Sequence, residues 1–234
     1  MGRVILSGAS KGMTVPGSYK ANFADNTWAQ IIDACHKNKV PATWAVSNSK
    51  PMLINGTEYQ IDIIGKNHDD YADGSGTAPL TFQLHDCYGE TKNVNSSNTN
   101  SGGWTSCAMR QTHLPAILAL MPTEVQSGIR EVSKLTSAGN QSATINATAD
   151  KLFLLSEIEI FGRVNYSKSG EGTQYDYYKA GNSKVKNRNG SADYWWERSP
   201  YGSDSLYFCN VNSSSLVGYI DASEAIGVAF AFCF

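Results

Sequence analysis

The stretch that decides the fold closes the chain: Asn189-Gly-Ser-Ala-Asp-Tyr-Trp-Trp-Glu-Arg-Ser-Pro200, then YGSDSLYFCNVNSSSLVGYIDASEAI over 201–226, then Gly227-Val-Ala-Phe-Ala-Phe-Cys-Phe234. Its two ends read as a fixed frame. Trp195, Trp196 and Arg198 stand at one end, and Gly227, Phe230 and Phe232 at the other. Large aromatic side chains bury the most area each, so the frame is expected in the core. The middle has little apolar period and much Ser, Asn, Asp, Tyr and Gly, so it is expected at the surface. A surface stretch pinned at both ends by core strands is a means of presenting a binding face. In the closing run, Val228, Phe230, Phe232 and Phe234 share one face, and Ala229, Ala231 and Cys233 share the other. Apolar groups on both faces mark a central strand. The same two-residue period over Tyr207–Asn212 sends Cys209 and Val211 inward and Asn210 and Asn212 outward.

Working outward, 234 residues with 41% hydrophobic, 17% charged and 21 Gly suit a globular domain rich in turns. A net charge of −2 disfavours a nucleic-acid partner. No run approaches the ~20 apolar residues of a membrane helix, so membrane insertion is not expected. The patch Val4-Ile5-Leu6 is too short for a signal-peptide core. The cysteines Cys35, Cys87, Cys107, Cys209 and Cys233 are odd in number and form no CxxC pair, which suits reduced, buried thiols.

Residues 1–24 read as a lead-in or linker, and 25–234 as one domain. Asp25 or Asn26 can cap a helix running to about Lys39. Strands are expected at Thr43–Val46, Lys50–Ile54 and Glu58–Ile64, with Asn55-Gly56 as a hairpin turn, and at Leu80–Leu84. The Asn/Ser/Thr/Gly run Asn93–Gly103 is a loop. Helices are expected over about Thr105–Leu120, kinked or divided at Pro115, and over Pro122–Lys134. Lys151–Ser156 reads as a buried strand and Glu157–Phe161 as a short helix. The fold class is α+β, with two or three helices packed on short antiparallel strands and long irregular loops.

Candidate chemistry is thin. His36, His68, His85 and His113 show no helical metal-pair spacing, and there is no HExxH, GxSxG, GxxxxGK[ST] or GxGxxG. The loop from Asp69 to Asp73 has a faint calcium-loop look, but Leu80 falls where a bidentate Glu is needed. An ordinary polar turn is the alternative there. Glu157 and Glu159 read as solvated carboxylates. Glu197 beside Arg198 reads as a salt bridge bracing the frame. No catalytic residue, metal or cofactor is assigned.

The order GGW (Gly102–Trp104), a loose S-x-x-R ending at Arg110, DKLFLLS (Asp150–Ser156), WWERSP (Trp195–Pro200) and GVAFAFCF (Gly227–Phe234) resembles a family of phage and gut-bacterial domains. These domains have the C-type-lectin fold in its formylglycine-generating-enzyme-like form. The resemblance extends to variable proteins of diversity-generating retroelements, among them phage tail receptor-binding proteins, and covers about 41–234. It implies that residues 193–226 form a diversified binding region. Retroelement mutagenesis varies adenines, mostly in AAC-type codons, which excludes Lys, Glu, Gln, Met and Trp at a fully varied position. From Gly202 to Ile226 only Glu224 breaks that alphabet. Adaptable paratopes share this Tyr/Ser/Asn/Gly character.

On this resemblance the ligand-binding positions are Asp193, Tyr194, Ser203, Asp204, Ser205, Leu206, Asn210, Asn212, Ser213, Ser214, Leu216, Tyr219, Ile220, Asp221, Ser223, Ala225 and Ile226. The expected partners are a host-surface protein or glycan and other phage tail or particle proteins. The expected place is the tail of a phage virion assembled in the bacterial cytoplasm. A homotrimer follows by analogy with tail tips. Two rivals remain open. One is a formylglycine-generating-like oxidoreductase, although the close Cys pair and the metal-binding His set of such enzymes are absent. The other is a non-variable structural domain of a bacterial surface protein. The EPN, QPD and WND motifs of calcium-dependent lectins are also absent.

Overall fold

The computed structural model describes residues 18–234. The protein is a mixed α/β molecule of several small antiparallel sheets and few, short helices. Helix α1 (Trp28–His36) opens at Thr27, whose hydroxyl accepts from Gln30 N while the Gln30 side chain accepts from Thr27 N. This capping box satisfies two donors at the helix start and places it one residue later than Asn26, and two later than Asp25, would. Tyr19 and Phe23, assigned to the lead-in, pack against Trp44 instead. Residues 1–17 of that lead-in lie outside the described residues.

Strands β1 (Ser49–Ile54) and β2 (Thr57–Lys66) form the expected hairpin. Asn55 and Gly56 both take positive φ at its turn, as a tight two-residue connection requires. Strand β3 (Leu80–Leu84) follows. Thr43–Val46 is turn and coil rather than strand. The chain then builds α2 (Gly103–Ser106), a π-wound turn at Met109–His113 and α3 (Leu114–Leu118). The expected single helix breaks at Cys107, which is extended, and not at Pro115. Pro115 sits in the first turn of α3, where its missing N–H goes unnoticed.

Helix α4 (Thr123–Gly128) stops six residues before Lys134. His36 Nε2 lies 2.8 Å from the Gly128 carbonyl, and a Cβ on Gly128 would meet the Ile32 side chain at 2.8 Å. The chain turns there, and Val132 opens strand β4 (Val132–Ser137), which pairs with β5 (Ile145–Asp150). The first strand of this hairpin starts inside the helix expected over Pro122–Lys134. Strand β6 (Leu152–Phe153), helices α5 (Glu157–Phe161) and α6 (Asp176–Lys179), and strands β7 (Lys186–Arg188) and β8 (Ser191–Asp193) lead to the closing stretch.

That stretch supplies β9 (Trp195–Pro200), β10 (Tyr207–Val211), β11 (Val217–Asp221) and β12 (Ala231–Cys233). The main sheet runs β1-β2-β3-β12-β6, so the last strand is central, as its two apolar faces require. Phe232 stacks on Phe82 at 5.4 Å, and Phe234 packs on Trp28 and Phe82. The second sheet runs β11-β10-β9, with β9 wholly buried and β11 at the rim.

Candidate functional site

The frame is a clasp. Gly227 N donates to Tyr194 O at 2.9 Å, and Trp196 N donates to Gly227 O at 3.0 Å, in a parallel bridge between Trp195 and Gly227. The indole Nε1 of Trp195 reaches Lys184 O and that of Trp196 reaches Lys92 O. A Cβ at position 227 would lie 2.6 Å from both Cys87 Sγ and Tyr194 O, so only glycine fits the joint. Trp195, Trp196, Arg198, Gly227, Phe230 and Phe232 are all buried. The strip between therefore leaves and re-enters the body at one place.

Behind the frame lies a buried ionic network that the sequence did not reveal. Arg198 pairs with Glu159 through Nη1 and, at 2.9 Å, through Nη2; Nε donates to Thr136 Oγ1, and other donors reach Leu154 O and Glu171 O. Lys134 Nζ lies 2.6 Å from Asp69 Oδ1 and 2.7 Å from Glu159 Oε1. Burial pushes the Asp69 and Glu159 carboxyls up, but the facing cations outweigh it and both sit below their ordinary values. Two charges of each sign thus balance. Glu159 is buried rather than solvated. Glu157 is also buried, accepting from the amides of Asn165, Tyr166 and Ser167.

Arg198 does not brace Glu197. The Glu197 carboxyl is fully buried and has no hydrogen-bond partner among the described residues. Burial first, and then the neighbouring Glu157 and Glu171, hold its pKa far above the carboxylate range. His68, Asp69 and Glu159 are near enough together to hold a metal, but the Lys134 ammonium already bridges the two carboxylates. Asp73 pairs with Arg130, and Asp69 turns inward to Lys134, Thr81 and Tyr175, so the 69–73 loop is an ordinary polar turn.

The strip is held by its main chain. Asn100, fully buried, donates through Nδ2 to the carbonyls of Asp204 at 2.8 Å, Tyr207 at 2.9 Å and Tyr201 at 3.3 Å. Its own N–H donates to Ser205 O, and its Oδ1 accepts from Asn140 N. Val94 N and Asn95 N donate to Ala222 O, and Lys92 and Ile226 exchange two main-chain bonds. Asn98 Oδ1 accepts from Ser223 N and the Ser223 hydroxyl. At the β10–β11 turn, Asn212 Oδ1 accepts from Ser214 N and Leu216 N. Asp204 Oδ1 does the same for Leu206 N, a local closure common in Asx turns.

The strip side chains mostly face out. Tyr194, Ser203, Leu206, Ser214, Leu216, Tyr219 and Ala225 are exposed; Asp193, Asp204, Ser205, Asn212, Ser213, Ile220, Asp221 and Ser223 are half-buried. Among the described residues, Ser203, Ser205, Ser213, Ser214 and Asp221 make no side-chain hydrogen bond. Ile220 packs partly on the core. Two assignments are corrected. Asn210 is buried along with Phe208, Cys209 and Val211, so both faces of β10 are covered; its Oδ1 lies against Gly218. Ile226 is buried because it belongs to the clasp, paired with Lys92 beside Gly227.

The face gains two residues that the motif reading did not single out. Tyr201 stacks on Tyr219 with ring centres 4.2 Å apart and planes 9° from parallel. Tyr166 meets Tyr219 edge-on at 5.0 Å, and Tyr207 completes the cluster. Neighbouring Tyr201 chiefly raises the Tyr219 phenol pKa. A family model described as a domain of unknown function (DUF6273) matches residues 75–233. The chain belongs to this family. No curated protein and no solved structure matches it. The DUF6273 match takes in β3 through β12, hence the frame, the strip and the ionic network apart from Asp69, and leaves out α1, β1 and β2.

Proposed function

We propose that this chain is a ligand-binding display protein of C-type-lectin-like fold, whose 193–226 strip is a diversified surface. The observation that carries the reading is the division of labour just described. Main-chain bonds and the buried side chain of Asn100 fix the strip, while most strip side chains are not used by the body. A surface built this way can change residues without loss of fold. The tyrosine cluster supplies rigid contact area, and the short Ser and Asp side chains supply hydrogen bonds at low ordering cost. In this reading the setting is a phage or prophage tail, assembled as a homotrimer, and the target is a host-surface protein or glycan.

An oxidoreductase using Cys209 and Cys233 is a poorer fit. Both thiols are fully buried, and burial raises their pKa values well above the ordinary thiol value, whereas thiolate chemistry wants an exposed, lowered one. Sequencing this locus across related strains tests the reading. Substitutions crowded into 193–226, sparing Asn210 and Ile226, are expected. Substitutions scattered evenly along the chain overturn it.

A further inference from the structure

Among the described residues, strand β11 is hydrogen-bonded to β10 alone and its outer edge is open. The ladder shows which groups face out. Asn212 N donates to Leu216 O and Ala222 N to Leu206 O, so the bonded pairs between them are Asn210/Gly218 and Phe208/Ile220. Val217 and Tyr219 therefore turn their N–H and C=O groups away from β10. Neither residue finds a main-chain partner there among the described residues. Folded proteins normally guard such an edge with Lys, Pro, a bulge or a very short strand. The two edges of the main sheet follow that rule: β1 carries Lys50 and Pro51, and β6 is two residues long. The outer side of β9 is taken by Leu155 O and Gly227 O. The β11 sequence VGYID has neither Lys nor Pro, and its ladder with β10 runs without a bulge. Leu216 is 62% and Tyr219 43% exposed beside it.

The charge of the strip beyond β9 has one sign. Beyond Arg198 the chain has no Lys or Arg, while Asp204, Asp221 and Glu224 lie in the strip. Lys168 lies beside its base, at Gly202. We infer that the partner of this face is a protein that lays an extended, basic segment along β11 as a fourth strand. The Val217 and Tyr219 main chain supplies the ladder. Asp221 meets a Lys or Arg of the incoming segment. This rests on the display reading and narrows its target from protein or glycan to protein.

The test is titration of the full chain, followed by amide NMR, with a blocked nine-residue peptide of alternating lysine and valine. Two control peptides accompany it: one N-methylated at alternate residues, and one with glutamate in place of lysine. Binding should move the Val217 and Tyr219 amides first, and both controls should bind about tenfold more weakly or worse. Val217→Pro removes an outward N–H without touching the β10 ladder, so it should fold and lose about tenfold in affinity. Tyr219→Ser should lose less, because it keeps the main-chain bonds. The methylated peptide on the unmodified protein carries the same test if Val217→Pro fails to fold. Equal binding by the methylated and unmethylated peptides would overturn the inference while leaving the display reading intact. So would no binding at ~1 mM, or a dimer of this chain that Val217→Pro dissolves. Failure of the display reading itself shows separately, in the strain sequences.

Discussion

At Glu197 a carboxyl group is sealed inside the protein without a hydrogen-bond partner among the described residues, one residue from an arginine that has bonded elsewhere. Its folded-state pKa lies well above the 4.5 of an ordinary glutamate, and burial raises that of Glu171 to about 7. Unfolding therefore releases protons from both groups as pH rises past about 4.5, and folding stability falls as it does so. Asp69 and Glu159 act in the opposite sense: their lowered values add stability above the carboxylate range that is lost as pH falls through it. Urea unfolding should thus show greatest stability on the mildly acidic side. The difference between Glu197→Gln and the unmodified protein should shift in favour of the variant between pH 5 and pH 8. Arg198→Met leaves Glu159 with only Lys134 as a charged partner and should cost roughly 3–5 kcal/mol in the same measurement. The burial of Arg198 could be read from the tryptophans beside it. Its partner could not, because Glu159 lies 39 residues away and nothing local marks the pair.

At the scale of elements, the strip and the frame should respond differently to change. Replacing Ser203, Ser205, Ser213, Ser214 and Asp221, singly or together, by Tyr, Asn or Asp should move stability by no more than about 0.5 kcal/mol per site. Asn100→Ala strips three carbonyls and an amide of their partner and should cost roughly 2–4 kcal/mol, read by thermal or urea unfolding. Gly227→Ala forces a methyl group onto Cys87 Sγ and Tyr194 O and should be comparably damaging. The frame was legible because alternation and aromatic bulk are local signals. Asn210 was misjudged because period two says which residues share a face, but not whether the rest of the body covers that face. Asn100 was invisible within the Asn/Ser/Thr/Gly run, where it differs from its neighbours only through a fold that brings Tyr201, Asp204 and Tyr207 to it. Likewise α4 was drawn too long, since its end is set by His36 and Ile32 from another helix.

Across the whole molecule, the central β12 and the β9 clasp tie the last 45 residues into two sheets at once. The α+β class, the β1–β2 hairpin and the central last strand all followed from sequence, because each depends on turn chemistry or on apolar patterning over a few residues. The β4–β5 hairpin did not, since the residues it buries are largely polar, among them Lys134, Thr136, Thr148 and Asp150, and leave no apolar period. A body that secures a surface strip by its backbone predicts a map of tolerance. The most direct test is a saturation scan of residues 193–226 read by resistance to proteolysis of the folded chain. The account predicts wide tolerance at Ser203, Ser205, Ser213, Ser214, Leu216, Tyr219 and Asp221, and intolerance at Trp195, Trp196, Arg198, Phe208, Asn210 and Ile226. Intolerance of the strip positions as severe as that of the clasp would contradict it.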